Sequence, residues 1–183
     1  MNSIKRIPYF LLILFAVLSV SCSRADENED VLSQEDISNI ILKVKDDATG
    51  ITATYNYTVN SVTVPEIKLT DGKTYTVETV FKNGNEDVTQ EIISALDEHF
   101  FVFAFQGAQI NLTRMDDIIR ADGNRVGFKT KWTVIKTVDS AAPVLEFKII
   151  HDAASVNENQ NGFAFGTVVG GETDAMAVFR LNN

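Results

Sequence analysis

Strict alternation of apolar and polar residues, clearest in "ITATYNYTVN" at 51–60, is the feature that most restricts what this chain can fold into. Ile51, Ala53, Tyr55, Tyr57 and Val59 share one parity, and Thr52, Thr54, Asn56, Thr58 and Asn60 the other. Successive side chains of an extended strand point to opposite faces, so a period of two sets one face against a core and the other in water. A helix cannot sort these residues that way.

The same pattern recurs along the chain and predicts nine strands, at about 37–45, 51–60, 63–69, 73–82, 99–105, 109–115, 126–136, 144–151 and 172–181. Turn residues that tolerate positive φ separate them: "DDATG" at 46–50, Asp71-Gly72, Asn83-Gly84, Gln106-Gly107 and Asp122-Gly123. Only "EDVTQEIISALDE" has helical spacing, with Val88, Ile92 and Leu96 four apart and Asp87 with Gln90 as a capping pair. Many short strands and one short helix predict an all-β antiparallel β-sandwich, immunoglobulin-like in the loose sense, with a calycin-like barrel as the alternative. Trp132 shares parity with Phe128, Thr130 and Val134 and is expected in the core; Lys129 and Lys131 face the other way.

The N-terminus sets the expected location. "MNSIKRIPYFLLILFAVLSVSC" has a basic start at Lys5 and Arg6, an apolar run from Tyr9 to Leu18, and small residues before the single cysteine. That is the layout of a secretion signal. Spanning a bilayer takes roughly 20 apolar residues, so the run is too short for a stable transmembrane helix. The expected division is a signal peptide at 1–21, a lipidated acidic tether at 22–36 beginning with Cys22, and one domain at 37–183. Using Cys22 for the anchor leaves the domain neither a disulfide nor a thiolate metal site.

Loss of Lys5 and Arg6 with the signal makes the formal charge of −9 two units more negative. Phosphate recognition needs clustered Lys and Arg, so nucleic acid is excluded as a partner. The tether carries Asp26, Glu27, Glu29, Asp30, Glu35 and Asp36. An acidic run beside a lipidated cysteine is similar to the surface-export signal of Bacteroidota-type lipoproteins. A surface-exposed outer-membrane protein is therefore expected, with the periplasmic face as the alternative.

Both histidines fall at strand ends. His99 precedes the apolar run Phe100–Phe105 and has the parity of Phe101, Phe103 and Phe105. A strand apolar on both faces should be central, with the helix over its second face. His151 closes "VLEFKIIH" with the parity of Leu145, Phe147 and Ile149. If strands alternate up and down, His99, His151, Glu172 and Asp174 gather at one end, beside "DDIIRADGNRVG" and a 20-residue loop, "DAASVNENQNGFAFGTVVGG". Imidazoles with carboxylates are a donor set for a divalent transition metal, and histidines also ligate haem, so these four residues are the candidate metal or haem site.

"DGKTYTVET", "DVTQEI" followed by "DEHFFVF", "DGNRVGFKTKW", "FKIIH" and "GGETDAMAVF" together resemble small Bacteroidota-type lipoproteins found beside TonB-dependent outer-membrane receptors. Members are often labelled a type 1 periplasmic-binding fold, which the absence of βαβ alternation argues against. The resemblance implies histidines at the "EH" and late-strand positions and acids in "GGETD", which fall here on His99, His151, Glu172 and Asp174. It also implies service to a receptor during uptake. There is no G-x-S-x-G elbow, H-E-x-x-H, P-loop or G-x-G-x-x-G, so a non-enzyme is expected. The expected function is ligand or metal capture for a TonB-dependent receptor; the alternative is a structural or adhesive surface module.

Overall fold

The computed structural model describes residues 37–183; the signal peptide, Cys22 and the acidic tether lie outside them. In chain order the elements are β1 (Asn39–Asp46), β2 (Thr52–Thr58), β3 (Glu66–Lys68), β4 (Thr74–Asn83), β5 (Glu86–Asp87), α1 (Thr89–Ser94), β6 (His99–Gln106), β7 (Gln109–Arg114), β8 (Lys129–Lys136), β9 (Val144–His151), β10 (Ser155–Asn161), β11 (Ala164–Val169) and β12 (Glu172–Asn182). They form two six-stranded sheets. One runs β2-β1-β4-β8-β7 with β5 added to β4, and the other runs β10-β11-β6-β9-β12-β3. All pairs are antiparallel except β12 with β3. An all-β sandwich is what the alternation predicts.

Period two builds the core between the sheets. Ile40, Leu42, Val77, Phe81, Trp132 and Val134 come from one sheet, and Phe101, Phe103, Phe105, Leu145, Phe147, Ile149 and Phe179 from the other, all buried. Phe147 meets the rings of Phe81, Phe101 and Phe103 at 5.1 to 6.1 Å, tilted or edge to face as ring quadrupoles prefer. Trp132 is fully buried and donates its indole N–H to Thr130 Oγ1 at 2.9 Å.

The two seams between the sheets differ. On one side β2 closes against the opposite sheet: Tyr57 meets Phe179 at 6.0 Å, and Tyr55 Oη accepts from the Lys68 N–H. The apolar parity of 51–60 is therefore right for Tyr55 and Tyr57, but Ile51 stands 70% exposed because β2 is an edge strand that reaches past the core. On the other side β7 and the β10–β11 hairpin are the edges, and there the chain crosses between sheets. Val126 gives its carbonyl to Phe101 of one sheet, Phe128 gives its carbonyl to Thr79 of the other, and Gly127 turns between them at φ +112°. The expected strand at 126–136 is for this reason regular only from Lys129.

Three other expectations are corrected. The segment 152–171 is not a loop but the β10–β11 hairpin, with Gly162 and Phe163 at its turn. The helix is six residues long, and Val88 sits at its N-cap position without a side-chain cap. Asp87 accepts from the Thr89 N–H in place of capping with Gln90. The helix packs through buried Val88 and Ile92 against the β4 end of the core, and over Phe100 of β6 lies the Arg114 guanidinium, 4.3 Å from the ring. A helix this short is held by packing, not by propensity.

Candidate functional site

Strand register brings the histidines together. His99 opens β6 and His151 closes β9, and the two are direct cross-strand partners. Their rings stack with centroids 5.1 Å apart and planes 26° apart. Glu172 is the partner of His151 on β12, so all four candidate residues lie at one end of the sandwich, as strand alternation requires.

Asp174 reaches the histidines because β12 is bulged. Ala175, Ala177, Phe179 and Leu181 face the core, so uninterrupted alternation would turn Asp174 outward. A register shift between Thr173 and Ala175 inserts Asp174 as an extra residue and re-aims its side chain inward. Its carboxylate lies 3.6 Å from His99 Nε2 and 4.0 Å from His151 Nδ1. Glu172 is exposed and stays out of the cluster. Glu98 takes its place, 3.6 Å from His151 Nε2, with Asp152 at 4.0 Å.

The surrounding loops fix the cluster. His99 Nδ1 donates to the Ala95 carbonyl at 2.9 Å, and a carbonyl can only accept, so this nitrogen carries a proton and Nε2 faces Asp174. Arg120, from "RADGNR", donates Nη1 to the carbonyls of Leu96 and His99 and Nε to Asp122. Burial works against the charge of Asp122, but hydrogen bonds from Asn124 and Arg120 outweigh it and hold the carboxyl below its usual range. Asp97 accepts from the Ala121 N–H, and Glu98 from the Asp152 N–H through its carbonyl. Gly171 adopts φ +80° where a Cβ would stand 2.6 Å from the His151 carbonyl. Changing Arg120 to lysine should lose the forked hold on the turn before β6 and cost about 1–2 kcal/mol in urea unfolding. The His99 ring resonances should move in the same variant.

The structure brings His99, His151 and Asp174 together but leaves Glu172 apart. His99 is 3% exposed and uses Nδ1 internally. Among the described residues no group of three or more His, Cys, Asp or Glu side chains could hold a metal ion. What this end does have is buried His99 stacked on part-buried His151, with Asp174, Glu98 and Asp152 within 4.0 Å of them.

Open concave surface lies elsewhere. A cleft of about 220 Å³ occupies the unclosed seam between β7 and the β10–β11 turn, lined in part by Phe105, Ile110, Phe163 and Phe165 with the amides of Gln109 and Gln160. A second cavity, about 180 Å³, lies between α1 and the loop after β7, among Ile93, Leu96, Ile118 and Phe128. The seam was invisible in sequence because half of it is the hairpin read as a loop.

Fold and site define an all-β sandwich with a histidine pair closed into one end and a cleft open along one seam. No family model, curated protein or solved structure matches the chain.

Proposed function

We propose that this chain is a non-enzymatic lipoprotein of the outer membrane, anchored through Cys22 and facing the cell surface, that captures a ligand for a TonB-dependent receptor. One observation carries the reading: at the Gln109 end of β7 the seam beside the β10–β11 turn leaves a solvent-reachable cleft, while at the other end Arg114 and the 126–127 crossing tie the sheets together. Binding sites of this kind are concave, largely apolar and furnished with a few placed polar groups. The capture role attaches to this cleft and not to the histidine pair, in which His99 is buried and uses Nδ1 internally. The sequence features behind the membrane part of the proposal are the leader, Cys22 and the acidic run after it.

Deleting the chain should reduce uptake of one nutrient through its receptor, and the receptor should co-purify with the detergent-solubilised protein. Unchanged uptake of every nutrient together with no co-purifying receptor would end the proposal. Phe163, 64% exposed at the hairpin turn, favours a second reading as an adhesive module. In that case deletion would weaken attachment to a surface and leave uptake intact.

A further inference from the structure

We infer that the cleft between β7 and the β10–β11 turn is a carbohydrate subsite that takes one ring of a neutral glycan, an inference that names the ligand class for the capture reading and rests on it. The lining selects by exclusion. It includes Gln109, Asn111, Gln160, Phe105, Ile135 and Phe163 and no ionisable side chain. In a chain of formal charge −9, an anion finds no cation there and a cation finds no carboxylate. A purely apolar ligand would strip water from three amides without replacing their hydrogen bonds, at a cost of about 1–3 kcal/mol for each group left unpaired.

What remains is a ligand with a C–H face and a rim of hydroxyls. Phe163 and Ile135 are 64% and 54% exposed and supply apolar surface at the cleft. Amides both donate and accept, which matches a hydroxyl in either role. Two of them are held in place before any ligand arrives. Gln160 Nε2 donates to the Gly162 carbonyl at 3.0 Å, and Gln109 Nε2 donates to Asp139 at 2.8 Å. The other Asp139 oxygen takes Lys136 at 2.7 Å, so that nearby charge is neutralised. The turn itself is tied down by the Phe105 N–H, which donates to the Phe163 carbonyl at 2.9 Å while the Phe163 ring stands in solvent. Preorganised groups lower the ordering cost of binding. At about 220 Å³ the cleft falls below the roughly 300–1,000 Å³ of drug-sized pockets, so it holds one ring and the rest of the chain leaves through the mouth.

The test is retention of the full-length chain in detergent on an array of neutral oligosaccharides, acidic oligosaccharides and extended peptides, followed by calorimetry on the retained sugars. Neutral oligosaccharides should bind. Phe163→Ala should weaken binding at least about tenfold and Gln160→Ala severalfold, with unchanged melting temperatures because both side chains are exposed. Retention of no neutral oligosaccharide, retention of acidic sugars or peptides alone, or binding that survives both variants would overturn the inference. Receptor co-purification without sugar binding would sink the carbohydrate class and leave capture standing. Sugar binding by a chain whose deletion alters no uptake would keep the subsite and sink the receptor role.

Discussion

Replacing Arg114 with leucine should lower the unfolding free energy by roughly 3–5 kcal/mol, a large share of the 5–15 kcal/mol that typically holds a domain together. Arg114 ends β7 and is 5% exposed, yet among the described residues no carboxylate forms an ion pair with it. Its guanidinium instead donates to three backbone carbonyls, those of Val126, Phe101 and Phe165, and lies 4.3 Å over the Phe100 ring. The reason is in the sheet. β11 pairs with β6 only at Ala164 and Phe165 and then diverges, and the 126–127 crossing supplies just one further carbonyl, to Phe101. Where a strand would have offered a row of N–H groups, one planar side chain offers them.

Burial pushes the Arg114 pKa down to about 10, with Glu158 and Asp116 pulling it back up from a distance, so it remains charged at neutral pH. Leucine would relieve the buried charge but remove a donor from three carbonyls, of which that of Val126 keeps the Phe101 N–H; at about 1–3 kcal/mol for a carbonyl left unpaired, the loss prevails. Lysine brings a compact ammonium with no planar fork and should recover less than half of the difference. Gly127 and Gly166 mark the fit from the other side: a Cβ at either would stand under 3 Å from the guanidinium. The check is the urea midpoint at unchanged slope. A loss under about 1 kcal/mol would show that the guanidinium is not what joins β6 to β11.

Legibility in the sequence followed the packing environment. Strands buried on one face, such as β1, β4, β8 and β9, alternate cleanly and were readable. β10 was not, because "SVNENQN" is an edge strand with little to bury, and β11 has its pattern broken by Gly166, the very residue that makes room for Arg114. That the histidines share one end was readable, because parity and strand alternation place both there; that they are direct partners was not, since the pairing of β6 with β9 is set by the sheet order. The role of Asp174 was not, since a bulge reverses parity and no residue type announces it. Arg114 and Arg120 were missed for a related reason. Each looks like an ordinary basic residue until the fold shows that backbone carbonyls converge on it.

Asp174→Ala should lower the unfolding free energy by about 1–3 kcal/mol, because it takes a part-buried polar side chain from beside two stacked rings. The Asp174 carboxylate lies within 4.0 Å of both His99 and His151. Glu98 and Asp152 lie within 4.0 Å of His151, and Arg120 is bonded to the His99 carbonyl on the other side. Asp174→Leu fills the space without a polar atom and should recover less than half of the loss. The measurement is the urea midpoint of the parent and the two variants. Full recovery in Asp174→Leu would mean that Asp174 fills space beside the histidines and does not act as their shared polar partner.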